Sequence, residues 1–513
     1  MQPGWSLRRL AIGTCLLTGI LAGAFLDAAC SSGGPPSPNT PPTPSPTPPA
    51  SPAVRLQVGY IAREPRLMAP TTLTAPREEG WPAAGSAVQW VAHVLNLGTA
   101  TVSGVPYAWR IDGEPPVTGV LDLVPGDTEV TLPWTWTFTR HQITFSIAPP
   151  PGVGDATTTD DQVTIASDAL SIGFWVEKKL YDWMCDGGRP GFEREMQQQI
   201  VNWNAILARA VFPTSPDGAL DRVRLDRVVV YPDGTHPANT EYLETDLYWI
   251  FPGSNSDDRF LQVGATAEQL ANQTVVFHEL LHERGLIDLY AYAVTHHSAG
   301  TDADGRVDIE ESGKPIVGTF LMPVLAVSDA NQIVFRTPYN GLMGSSYVPR
   351  ADLTELCADG LNLWAGHRTP MHLDQWGNLI DEWSNARSDR SYISLLPQST
   401  AITFTEQGRP LAGGTVDVYL DHNPFTYPKT YTPGPDLTLP MDAGGAVTLP
   451  GDVLTRLPAV LAAPPKAQDI VFGVRTSRGR AYVFVPVYEF NVRYFRGGGA
   501  PATLEVPVTL NPW

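Results

Sequence analysis

The chain is short of basic residues: 34 Lys and Arg stand against 53 Asp and Glu, for a formal net charge of −19. A surface of that sign repels phosphate backbones and anionic headgroups, which argues against nucleic acid or an acidic membrane face as a partner. Charge of either sign is scarce, at 17% of residues, against roughly 25% in ordinary globular chains. Cysteine is scarcer still, with 4 in all. Cys15 and Cys30 fall in or just after an apolar leader, so no disulfide framework holds the fold. Cys185 and Cys357 remain, an even pair that permits one bridge in an exported chain. Long apolar runs are lacking as well. Residues 10–26 come nearest, but Gly13, Gly19 and Gly23 interrupt them and Arg8 and Arg9 precede them, the layout of a secretory signal peptide rather than a membrane span.

Proline and glycine, by contrast, are plentiful at 49 and 46, which points to many turns. Residues 35–52 are almost all Pro, Ser and Thr, a composition that buries no core and favours a semi-rigid polyproline II spacer. The stretch Leu26-Asp27-Ala28-Ala29-Cys30-Ser31-Ser32-Gly33-Gly34 joins leader to spacer and resembles a bacterial lipoprotein processing site. That resemblance implies a lipid anchor on Cys30, with plain secretion as the other reading. The length of 513 residues leaves room for roughly three domains after the leader.

Chemistry concentrates in residues 266–290, TAEQLANQTVVFHELLHERGLIDLY. Thr266 and Gln269 form a capping box, so the spacing predicts a helix starting there. His278 and His282 are four apart, a turn of about 400° that puts both imidazoles on one helix face. In a chain with only 10 histidines, that pair is the H-E-x-x-H pattern of a zinc hydrolase. Glu279, next to the first ligand, is placed to act as base on a water molecule without binding the metal. Gly285 is set to end the helix in a left-handed turn and Asp288 follows as the third metal ligand, completing H-E-x-x-H-x-x-G-x-x-D.

This pattern resembles that of the metzincin metallopeptidases, in particular the branch with aspartate as third ligand, such as snapalysin and immune inhibitor A. Those enzymes carry a G-L-x-D-x-Y segment, matched here by Gly285-Leu286-Ile287-Asp288-Leu289-Tyr290. The resemblance implies a methionine turn beneath the metal. Residues 339–347, YNGLMGSSY, supply one centred on Met343, with Met322 as a weaker rival.

Both flanks read as β. Tyr107, Trp109 and Ile111, then Trp134, Trp136 and Phe138, then Ile143, Phe145 and Ile147 alternate with polar residues, with turn signals at Asp112-Gly113 and Pro125-Gly126. An immunoglobulin-like sandwich follows over residues 54–172, and residues 91–98 with the Trp109 strand resemble bacterial CARDB domains. Between the flanks, Phe192, Met196, Ile200, Trp203, Leu207 and Val211 recur at helical spacing over residues 191–211, followed by strands at Val223–Tyr231 and Leu247–Phe251. A further helix is expected near Ala351. Alternation returns after Gln398, where Gly408-Arg409-Pro410-Leu411-Ala412-Gly413 resembles the small sandwich of carboxypeptidase-regulatory-like domains.

The expected organisation is a signal peptide over 1–29, an anchor cysteine and linker over 30–53, a first sandwich over 54–172, an α+β zincin domain over 173–396 and a second immunoglobulin-like sandwich over 397–513. The expected activity is zinc-dependent peptide hydrolysis at the bacterial cell surface or outside the cell. His278, His282 and Asp288 hold the metal, Glu279 is the general base and Met343 lies beneath the site. The membrane is a partner only through the anchor, and the sandwiches offer surfaces to a cell-surface or matrix partner. The opposing reading is a surface adhesion protein with a vestigial zincin core. Asp302, Asp304, Asp308 and Glu311 around Gly305 read either as a calcium loop or as a solvated acidic loop, and His296 and His297 either as exposed loop histidines or as a pair that approaches the zinc loop.

Overall fold

The structure is a computed structural model. It describes residues 54–66, 81–148, 161–186, 189–235, 244–251, 274–287, 289, 341–344, 352–363, 365–366, 392–393, 395–420, 434–453 and 469–513, together with the backbone of the strands within 294–336. The expected signal peptide, Cys30 and the Pro-rich linker lie outside the described residues. Among the described residues no helix is long and apolar enough to cross a membrane. The molecule is multidomain and mostly β-sheet with few helices.

The first unit pairs two antiparallel sheets. Strands β1 (Leu56–Glu64), β2 (Ala87–Asn96) and β5 (Gly126–Thr135) form one, in the order β1-β2-β5. Strands β3 (Val102–Ile111), β4 (Val117–Leu123), β6 (Gln142–Ile147) and β7 (Gln162–Ala166) form the other, in the order β4-β3-β6-β7. Alternation puts Trp90, Trp109, Ile143 and Phe145 into the shared core, where Trp109 meets Phe145 edge-on at 4.7 Å. Tryptophan alternation misleads at one point: β5 ends at Thr135, Trp136 is still buried, but Phe138 is exposed where the chain turns toward β6.

Strand β1 is buried on both faces, and a bulge makes that arrangement work. The register to β2 shifts between Val58 and Tyr60. Leu56, Val58 and Ile61 therefore face the sandwich core, whereas Tyr60 and Ala62 join the core of the next unit. Without the extra residue, strict alternation would send Tyr60 and Ala62 to the same side as Val58. Gly59 sits at the shift, where a Cβ would come within 3.2 Å of Leu95 and 3.3 Å of the His93 carbonyl.

The second unit is built on a parallel sheet in the order β10-β8-β9, from β8 (Leu170–Glu177), β9 (Val223–Tyr231) and β10 (Leu247–Phe251). β8 is central and buried along its length, which is why LSIGFWVE is nearly all apolar. Helices α1 (Lys178–Cys185) and α2 (Phe192–Arg209) form the crossover from β8 to β9. Phe192, Met196, Ile200, Trp203 and Leu207 line the buried stripe of α2 as their spacing predicts, but Val211 is exposed because the helix stops two residues earlier. Helix α3 (Thr274–Glu283) carries the H-E-x-x-H motif and packs on α2, Phe277 stacking on Trp203 at 5.2 Å with the rings 5° from parallel. Its predicted start at Thr266 lies outside the described residues.

Between α3 and a turn at residues 341–344 the chain forms strands β11 (Val294–His297), β12 (Arg306–Glu311), β13 (Lys314–Val317), β14 (Thr319–Phe320), β15 (Leu325–Asp329) and β16 (Gln332–Arg336). They make a β11-β16-β15 sheet and a β12-β13 hairpin, while β14 reaches the last unit. Helix α4 (Glu355–Leu363) follows and holds Cys357.

The last unit comprises β17 (Ser399–Glu406), β18 (Arg409–Pro410), β19 (Gly414–Tyr419), β20 (Leu437–Pro440), β21 (Ala446–Pro450), β22 (Asp469–Thr476), β23 (Gly479–Pro486), helix α5 (Tyr488–Gly497) and β24 (Ala502–Pro507). One sheet runs β14-β23-β22-β19-β20; in the other, β17 pairs with β18, β21 and β24. The expectation of an all-β last unit is corrected by α5, whose Tyr488, Phe490, Asn491 and Val492 are buried. Helix α5 faces α4: the Arg496 guanidinium clasps Glu355 with two bonds of 2.8 and 2.6 Å. A single apolar core accordingly runs from Tyr60 through the parallel sheet and α3 into the second sandwich.

Candidate metal centre

Helix α3 ends where the sequence places its stop. Gly285 has φ of +85°, a conformation open to glycine at little cost. The Gly285 amide donates to the His282 carbonyl at 2.8 Å and the Leu286 amide to the Leu281 carbonyl at 3.1 Å, the two bonds of a Schellman cap. The helix end is also tied sideways. Arg284, buried, bonds Asp221 at 2.6 Å, and Glu283 accepts the Tyr248 amide of β10 at 3.1 Å.

That reversal brings the Leu286 carbonyl back over the helix, where it accepts Nδ1–H of His282 at 2.7 Å. His278 donates its own Nδ1–H to the Leu342 carbonyl at 2.9 Å. A carbonyl can only accept, so both imidazoles carry their proton on Nδ1 and present Nε2 as the electron-pair side. The two Nε2 atoms lie 3.2 Å apart, with the rings nearly perpendicular at 89°. Neutral rings in this form cannot hydrogen-bond to each other through Nε2. A tetrahedral zinc with nitrogen ligands at 2.0–2.1 Å would space two such nitrogens by about 3.3 Å. The pair therefore fits a shared cation. Both rings are at most 4% exposed, and the Glu279 carboxylate completes a group whose ligand atoms all lie within 4.8 Å of one another.

The Leu342 carbonyl is held by the turn at residues 341–344, where Gly344 donates to the Gly341 carbonyl at 2.7 Å. The Leu342 amide donates to the Asp352 carbonyl at 2.7 Å, and the Met343 carbonyl accepts the Leu289 amide at 2.8 Å. Gly341 leaves no room for a side chain, since a Cβ would sit 2.8 Å from the Asp352 carbonyl. Met343 is fully buried against this assembly. Of the sequence-assigned residues, the structure thus brings together His278, Glu279, His282 and the Met343 turn. Asp288, Met322, Asp302 and Asp304 lie outside the described residues. The loops expected at Asp308 and Glu311 and at His296 and His297 are corrected: the first two are positions of strand β12, and the histidines are successive positions of β11.

The expected Cys185–Cys357 bridge is corrected: both are free thiols. Cys185 closes α1 beside Tyr181 and Glu193, whereas Cys357 lies on α4 against Thr354, which donates to its sulfur at 3.2 Å. Burial pushes each thiol up to about 11, so both stay protonated at neutral pH. Among the described residues, Cys185 is not a member of the histidine group. Two orienting carbonyls, Leu286 and Leu342, escaped sequence reasoning, because a backbone acceptor leaves no mark in residue type.

No protein-family model matches the chain, and no curated protein matches it. Among solved structures, it is similar to the CARDB domain of the PF1109 protein from Pyrococcus furiosus, crystallised with di-metal ions. That likeness has 16% identity and a TM-score of 0.17, covering 22% of this chain and 85% of that one. A Paenibacillus sp. cycloisomaltooligosaccharide glucanotransferase is similar over 56% of this chain and 35% of its own, at 12% identity and a TM-score of 0.17. A calcium-binding mutant of Bacteroides uniformis beta-glucuronidase 2 is similar over 89% and 63%, at 8% identity and a TM-score of 0.19. At such TM-scores none of these likenesses carries an argument about function.

Proposed function

We propose that this chain is an exported, zinc-dependent peptidase with a metzincin-type catalytic domain between two immunoglobulin-like sandwiches, the first CARDB-like. One observation carries the reading: two buried imidazoles in the same tautomer, their Nε2 atoms 3.2 Å apart, beside a carboxylate. His278 and His282 hold the metal, and Asp288, three residues past the helix-ending glycine, is assigned as third ligand. Bound zinc would polarise the scissile carbonyl and make water acidic enough to attack near neutral pH.

The rest is done by the chain's own groups. Glu279 takes the proton from the attacking water and hands it to the departing amine. The Leu286 and Leu342 carbonyls hold each imidazole in the form that leaves Nε2 for the metal, a supporting role that such outer partners commonly play. The turn around Met343 carries the Leu342 carbonyl and so positions His278. Export follows the leader, and Cys30 is the proposed lipid anchor, which leaves the enzyme at the cell surface on a proline-rich tether.

Metal analysis of the full purified chain, paired with hydrolysis of casein, tests the reading. About one zinc per chain and casein hydrolysis abolished by a zinc chelator are expected. Zinc without hydrolysis would favour the adhesion reading, and a chain that takes up no zinc would end both the peptidase reading and its metal site.

A further inference from the structure

The loop that orients His282 is held from a second direction. Ile287 is buried, and its amide donates to the Tyr392 hydroxyl at 3.0 Å. Tyr392 lies more than a hundred positions further along, in the segment that enters the second sandwich. Its ring is wedged between α4 and the metal loop: a Cβ on Gly360 would fall 3.0 Å from the Tyr392 ring and 3.1 Å from Leu286. The neighbouring segment is in turn clamped by the sandwich's own helix. Asn491 of α5, with no exposed surface, donates to the Ile393 and Leu395 carbonyls, each at 2.9 Å. Helix α5 is anchored to α4 by the Arg496–Glu355 clasp.

We infer that the second sandwich is a positioning device for the metal loop: α5 fixes the Tyr392 segment through Asn491, and the Tyr392 hydroxyl fixes the backbone at Ile287, just past the helix cap. The chain of contacts is short. Asn491 sets Ile393, Tyr392 sets Ile287, and the adjacent Leu286 carbonyl sets the imidazole of His282. Each link is a hydrogen bond between buried groups, where a lost partner is costly. The inference rests on the metal reading for its consequence, zinc retention, but not for the contacts themselves. Tyr392 touches no reacting atom and is a positioning residue.

The test uses the full chain and two substitutions. Tyr392→Phe keeps the ring between Gly360 and Leu286 and removes only the hydroxyl. Asn491→Ala acts from the other domain, through the Ile393 and Leu395 carbonyls. Deuterium uptake by a peptide spanning residues 284–291, measured without metal, should show the Ile287 amide exchanging about fivefold faster in Tyr392→Phe, the worth of one hydrogen bond. Asn491→Ala should accelerate the same amide. Zinc affinity, read by competition with a chromophoric chelator, should fall about tenfold in each, the low end for loss of an outer partner.

Parent-like exchange at Ile287 together with parent-like zinc affinity in Tyr392→Phe would overturn the inference. Acceleration confined to residues 392–396 in Asn491→Ala would overturn the claim that the sandwich is the source. Should Asn491→Ala fail to fold, Tyr392→Phe decides. A parent chain that binds no zinc overturns the metal reading instead, while exchange at Ile287 still decides whether the brace exists.

Discussion

Glu193 offers a prediction independent of any catalytic role. It occupies the first turn of α2 and is 3% exposed, beneath the first sandwich. Tyr181 donates to its Oε1 at 2.8 Å, while Oε2 has no hydrogen-bond partner among the described residues. Burial first, and the same-sign charge of Asp127 in smaller part, lift its carboxyl from an ordinary 4.5 to about 7, against the backbone amide, Tyr181 and His93, which pull the other way. Below pH 4.5 the group is protonated in folded and unfolded chains alike, and its contribution is fully present. As pH rises toward 7, the unfolded chain releases a proton that the folded chain keeps, so stability falls. By pH 7 that loss is nearly complete, at about 3 kcal/mol for a shift of this size. Glu193→Gln removes the titration and keeps the shape. Urea unfolding of parent and variant, followed by circular dichroism in half-unit steps from pH 4 to 8, should show the variant gaining on the parent by about 3 kcal/mol across that window. Parallel curves would show that Glu193 is ionised inside the folded protein and refute the argument.

Glu279→Ala should retain zinc and lose about 10² to 10⁴ in turnover on a peptide substrate, the usual worth of a general base; parent-like turnover would remove Glu279 from the mechanism. Asp288→Ala should leave two protein ligands and a metal readily stripped by a weak chelator, and zinc held as tightly as in the parent would disqualify Asp288 as third ligand. Cys185 and Cys357 should both react with a thiol reagent once the chain is denatured without reductant; a peptide pair linked through them in mass spectrometry would restore the bridge that the structure lacks.

Much of the local architecture was legible because it follows from periodicity. The strands Val223–Tyr231 and Leu247–Phe251 and the buried stripe of α2 stand where alternation and helical spacing put them. Gly285 could be read as the end of α3 because a left-handed cap favours the one residue without a Cβ. The errors came where spacing underdetermines structure. Phe138 and Val211 continue an apolar pattern past the end of their elements and are exposed. Tyr488, Phe490 and Val492 alternate as strand residues do, yet they are buried positions of helix α5. An even pair of cysteines permits a bridge, yet pairing is decided by three-dimensional proximity, and the two thiols lie in different surroundings.

The sequence by itself determined which residues can do chemistry: two histidines one helical turn apart, a glutamate beside the first and a glycine that halts the helix, all set by local backbone geometry. Only the tertiary structure decided how those rings are aimed. The acceptors for their Nδ1 protons are the backbone carbonyls of Leu286 and Leu342, and the second comes from 64 positions away. Tyr392, which holds the Ile287 amide, comes from 105 positions away. A carbonyl is present in every residue, so nothing in the order of side chains marks the two that matter, and packing of the folded chain selects them.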